Sequence, residues 1–161
     1  AILLAIHAFC LMLRGDLAAA QTQAEATIAF CAEQGVPTFV ASGLACLGWV
    51  HVRQGREAEG LAQLRQGLAD YEATGTLIYK SWYVVLLVDA CRQAGQFEEG
   101  VAALADAFAF VEETDERVYE AELWRLQGEL LLAQTKQGQN GEKGRKQARE
   151  DKRKGQGRTV G

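Results

Sequence analysis

An all-α chain of stacked antiparallel helical hairpins is what this sequence predicts, and three observations predict it. There is one proline in 161 residues among many Ala, Leu, Gln, Glu and Arg. These side chains lose little rotamer freedom in a helix, whereas proline would break one. A second observation is internal repetition: VRQGREAEGLAQL (52–64) returns as CRQAGQFEEGVAAL (91–104), with Gly55 and Gly95, Gly60 and Gly100, Leu64 and Leu104 each forty residues apart. Finally, Gly15, Gly55 and Gly95 form one series of breaks, and Gly35, Gly75 and Asp115 a second. Gly and Asp tolerate the left-handed backbone that ends a helix, so the two series mark two turns per unit.

The breaks divide the chain into units at about 1–35, 36–75 and 76–115 and a partial unit at 116–134. In the first helix of each, the apolar positions are Leu4, His7, Ala8 and Leu11, then Leu44, Leu47, Gly48 and His51, then Val84, Leu87, Val88 and Cys91, and last Trp124, Gln127, Gly128 and Leu131. The second helix carries Gln21, Ala24, Ile28 and Cys31, then Leu61, Leu64, Leu68 and Tyr71, then Val101, Leu104, Phe108 and Val111. Steps of three and four put each set on one helix face. Small residues, Ala8, Gly48 and Gly128 in the first helix and Ala20, Gly60 and Gly100 in the second, let the pair approach closely. The opening run AILLAIHAFCLML is then a first helix. It falls short of the ~20 apolar residues of a membrane span and has no basic segment ahead of it, so a signal peptide is not expected either.

At these residues the chain resembles the tetratricopeptide (TPR) repeats, whose first helix carries W-x-x-L-G-x-x-Y and whose second carries small, large and small residues in turn. Trp124-x-x-Gln127-Gly128 keeps the Trp and Gly, and Leu44-x-x-Leu47-Gly48 the Leu and Gly. Gly60, Leu64 and Gly67 fit the second helix, as do Gly100, Leu104 and Ala107. The unit departs from the usual one in its forty-residue length and in having Ala32, Glu72 and Glu112 where a proline is usual. Such longer units look like the C-terminal helical arrays of bacterial multidomain regulators that carry an ATPase and sometimes a cyclase or DNA-binding domain. The resemblance implies a right-handed α-solenoid over 1–134, a cytoplasmic piece of a larger bacterial protein, with the neighbouring ATPase or cyclase domains among its partners.

Residues 136–158 hold nine Lys or Arg and three acidic side chains, whereas residues 1–134 hold eight and eighteen. The segment 135–161, with few apolar side chains, is expected to be a disordered tail. The acidic array does not attract nucleic acid, so the alternative of a nucleic-acid-associated module rests on that tail alone. The four cysteines lack metal-ligand spacing and read as buried free thiols, and His7 and His51 as packed core histidines. An enzyme using one of these would need an unusually reactive thiol beside a histidine. Glu98-Glu99 sits in a first helical turn where the dipole favours it, with nothing expected to shield it from water; the Gly-rich end lacks G-x-x-x-x-G-K-[ST]. No catalytic residue, metal or cofactor is expected.

The candidate site comes from the repeat phase. Trp82 is out of step with the buried slot, which belongs to Val84, and the equivalents of Trp82 are Ile2, Ser42 and Glu122. TPR arrays present such first-helix residues on a concave surface that binds an extended peptide or partner helix. Carried along the array, this phase selects Trp49, Trp82, Asp89, Arg92, Glu122, Arg125 and Glu129. Aromatic, Arg and carboxylate side chains together form a recognition mixture; the competing account is that Trp49 and Trp82 pack between units. The expected function is therefore a non-catalytic protein-interaction or sensory scaffold that takes a protein or peptide partner, with self-association through the uncovered face of the Trp124 helix also open.

Overall fold

A computed structural model of the chain describes residues 1–137. Six helices follow one another as α1 (Ile2–Leu13), α2 (Leu17–Glu33), α3 (Pro37–Arg53), α4 (Glu57–Ala73), α5 (Lys80–Gln93) and α6 (Phe97–Thr114). A seventh, α7, is helical from 120 to the last described residue, 137. No strand occurs among the described residues, and the sequence expectation of a basic tail lies, beyond residue 137, outside them.

The turns form where the spacing places them. Gly15, Gly35, Gly55, Gly75 and Gly95 all have φ between 66° and 86°, and Asp115 takes the same left-handed conformation at φ 58°. At Gly55 the closure is complete: its N–H donates to Val52 O at 3.0 Å and Arg56 N–H donates to His51 O at 2.9 Å, which satisfies two carbonyls that the helix end leaves free. Starts are defined as well. The Asp16 carboxylate accepts from Ala19 N–H at 3.1 Å, and Pro37 occupies the first turn of α3, where its missing N–H costs nothing. The link between α4 and α5 is longer. Tyr79 adopts φ 65°, uncommon for a residue with a Cβ, and the Tyr71 hydroxyl donates to Ile78 O just before it.

Glycine spacing explains how closely α3 and α4 pair. A Cβ on Gly48 would come within 2.6 Å of Gly60 O and 2.5 Å of Leu64 N; one on Gly67 would lie 2.5 Å from Ala45 N. With 48 against 60–64 and 45 against 67, the helices run antiparallel, backbone against backbone. The buried faces of the second helices keep the forty-residue period: Ala20, Gly60 and Gly100; Ala24, Leu64 and Leu104; Thr27, Gly67 and Ala107; Cys31, Tyr71 and Val111. Val101, expected on this face, is instead 44% exposed, whereas its equivalent Leu61 is fully buried.

First helices sit side by side. The backbones of α1 and α3, and of α3 and α5, lie close together, whereas those of α2, α4 and α6 stand further apart and α4 reaches α6 through side chains, Arg65 donating to Glu99. The side-chain hydrogen bonds between α3 and α5 join Ser42 with Tyr83, Trp49 with Asp89 and Arg53 with Gln93, all with offsets of 40 or 41 residues, so these two helices run parallel and in repeat register. The consequence is that a middle first helix is buried on two faces, one against its own second helix and one against the preceding hairpin. In α3 both Val50 and Val52 are fully buried.

Among the described residues the first and last helices each lack one of these neighbours, and three sequence expectations fail there. Position 10 corresponds to Val50, Ala90 and Leu130, all buried, yet Cys10 is exposed because no described hairpin precedes α1 to cover it. Leu3 and Leu13 are exposed on the same helix. His7 is likewise exposed rather than a core residue; its Nδ1 lies 3.0 Å from Gln23 Oε1 on α2. On α7 the buried positions are Leu123, Leu126 and Leu130, whereas Trp124 and Leu131 are each 56% exposed and Gly128 faces open space. The expected face of α7 exists but has no second helix among the described residues to cover it. Fully burying each of the three leucines contributes about 1.5–3 kcal/mol, which is what docks α7 through its other face.

Candidate functional site

Six of the seven residues selected from the sequence fall into one connected polar chain along the first-helix layer. Trp49 Nε1 donates to Asp89 Oδ2 at 2.9 Å, and the Arg53 guanidinium lies 5.2 Å from the Trp49 ring centroid and 3.9 Å from the same carboxylate oxygen. Arg92 donates from Nη2 to Asp89 Oδ1 at 2.8 Å, and its Nε is 3.2 Å from Glu129 Oε2. Arg125 then bridges Glu129 and Glu122, donating to Glu122 Oε2 from Nε at 2.8 Å. Glu122 raises the Arg125 pKa above its ordinary value through this hydrogen bond, and Glu129 adds to it.

The chain runs from the second unit through the third to the fourth, and its members largely satisfy one another. Trp49 is only 9% exposed, so its ring packs between units and offers little surface to a ligand. Asp89, at 14% side-chain exposure, faces two arginines and an indole N–H. Such a chain holds neighbouring hairpins in register; its exposed end at Glu122 and Arg125 is open to solvent.

Trp82 stands apart from the polar chain. Its ring meets Phe9 of α1 edge-on, with centroids 4.4 Å apart and planes at 85°, and Tyr119 at 5.4 Å. Contacts with the first and fourth units at once make Trp82 a link across the layer. Around it is a cavity of about 220 Å³ whose lining includes Phe9, Phe39, Tyr79, Trp82, Tyr83 and Tyr119. Phe39, Tyr79 and Tyr119 are forty residues apart in sequence, as are Ile2, Ser42 and Trp82, which also line it. The repeat therefore converges two sets of equivalent positions on one hollow. The aromatic trio 39/79/119 was legible, since each member lies four residues after a break at Gly35, Gly75 or Asp115, but it sits in the connecting turns and their margins, outside the helix-face count.

Within the cavity wall, Ser42 Oγ and Tyr83 Oη are 2.6 Å apart, and burial pushes the Tyr83 phenol far above its ordinary range. Burial likewise raises Tyr71 to about 12, with Glu116 adding to it, and Cys46 to about 12. Cys91, also raised to about 12 by burial, lies away from the cavity. Neither thiol has the depressed pKa of a nucleophile.

Of the paired carboxylates, Glu99 is not left to water: Arg65 donates to it from Nε at 2.6 Å and lowers its pKa. His51, the buried histidine, has its pKa lowered by burial and by Arg56. Among the described residues no group of three His, Cys, Asp or Glu is placed to hold a metal ion, and no helix is long and apolar enough to cross a membrane. Compared with known proteins, the chain matches no family model, no curated protein and no solved structure.

Proposed function

We propose that the chain is a TPR-like α-solenoid, a right-handed stack of forty-residue hairpins, serving as a non-catalytic interaction or sensory module. The observation that carries this reading is the asymmetry between layers: the backbones of first helices approach one another closely and those of second helices do not. A stack whose one layer is contiguous and whose other is spread curves toward the contiguous side, which makes the first-helix layer the concave one. Positions 2, 42 and 82, the phase that TPR arrays use for recognition, face one hollow there.

The residues proposed to meet a protein or peptide partner are Trp82, Arg92, Glu122 and Arg125, with Trp49, Asp89 and Glu129 holding them in register. The parent protein on this reading is a larger cytoplasmic bacterial regulator in which partner occupancy is relayed to neighbouring ATPase or cyclase domains. The test is a pull-down from a bacterial lysate with the chain beside a Trp82→Ala, Arg92→Ala variant matched for helical circular dichroism. Partners captured by the first and lost from the second support recognition on this layer. Equal capture by both contradicts it and leaves the chain a spacer.

A further inference from the structure

The cavity around Trp82 has a chemistry of its own. None of its lining residues is Lys, Arg, Asp or Glu. An anion would give up its hydration there with no counter-ion and with the Glu116 carboxylate near Tyr71 and Tyr119, so an anionic guest is excluded. Two of the tyrosine hydroxyls in the wall are already engaged, Tyr71 to Ile78 O and Tyr83 to Ser42. Those of Tyr79 and Tyr119 bond to no other described residue and are free to take a polar group.

Ring geometry favours a flat guest. Phe9 and Tyr119 stand at 85° and 41° to the Trp82 plane, leaving faces and edges of several rings around one space of about 220 Å³. Offset-stacked and edge-to-face contacts are the arrangements that aromatic rings prefer. At the packing density of protein interiors, ~0.74, that space holds on the order of ten non-hydrogen atoms, well below a drug-sized ligand. The Phe9–Trp82 contact closes the hollow between the first and third units.

We propose that this cavity binds a non-anionic, planar aromatic molecule of about ten non-hydrogen atoms with one polar group, its ring among Trp82, Phe9 and Phe39 and its polar group at Tyr79 and Tyr119. The inference is independent of the partner reading, since a chain that captures no protein can still bind such a molecule.

Isothermal titration calorimetry of the full chain with indole and phenol, and with benzoate as the charged counterpart, tests it. Indole and phenol give saturable heats and benzoate does not. Ile6→Trp adds bulk to the lining from a position already 42% exposed, so the fold tolerates it and indole binding is lost. Tyr79→Phe with Tyr119→Phe keeps both rings and weakens phenol binding about fivefold, the effect of one hydrogen bond. Absence of saturable indole binding up to millimolar concentration overturns the proposal, as does binding unchanged in Ile6→Trp or benzoate held as tightly as indole. A tryptophan-bearing peptide bound by a chain that ignores free indole also overturns it, in favour of a protein side chain as the guest.

Discussion

Trp49 donates its indole N–H to Asp89, forty residues on, and Glu129, forty residues further, is tied to that same carboxylate through Arg92. One repeat position thus carries Trp, Asp and Glu in successive units. Identical residues there could not bond to one another in this way; the divergence of the repeat is what makes the contact.

Loss of this link is measurable. Asp89→Ala leaves a buried indole N–H unpaired and removes a partner from Arg92 and Arg53, and is expected to cost about 2–3 kcal/mol in urea unfolding. A double-mutant cycle with Trp49→Phe should return a coupling of about 1 kcal/mol. Strictly additive costs would show that the two side chains are neighbours without interaction.

The two glycines that occupy the same place in the repeat are expected to behave oppositely. Gly48→Ala drives a methyl into the α4 backbone, where neither neighbour can yield, and should destabilise by about 2–3 kcal/mol. Gly128→Ala meets nothing among the described residues and should stabilise by up to about 1 kcal/mol through helix propensity. Thermal unfolding of the two variants decides it; a loss at Gly128 comparable with that at Gly48 would mean that α7 has a close partner on that face.

Acid sensitivity is expected from His51. Its pKa in the fold lies below the ordinary 6.5, from burial first and Arg56 second. As pH falls below about 6.5 the unfolded chain takes up a proton that the native state resists, so stability declines until the lowered native pKa is passed. Above that window the group contributes no pH dependence. His51→Gln should flatten the part of the stability profile just below pH 6.5, and an unchanged slope would place the acid sensitivity elsewhere.

Helices, turns and the forty-residue period were legible because each depends on local chemistry: apolar spacing, few helix breakers, and residues that accept positive φ. Six of the candidate site residues proved to be mutually paired, and nothing in their spacing distinguishes a free arginine from one held by a carboxylate on the next unit. Trp82 lies outside the buried slot, but its contact with Phe9 joins units that are not adjacent, and neither that contact nor the one with Tyr119 is in repeat phase. His7 was assigned to the core from its repeat face and Cys10 as one of four buried thiols, and burial is not a property of the repeat position alone.

By itself, then, the sequence determined where the backbone breaks, which faces are apolar and that one unit resembles the next, since these follow from the nearest few residues along the chain. Tertiary structure decided which of those faces are covered, which charges are spent on each other and which aromatic rings surround an open space. That division has a physical cause. A helix carries its periodicity within itself, whereas burial and pairing belong to the neighbour a face meets, and among the described residues the first and last helices lack a neighbour that the middle ones have.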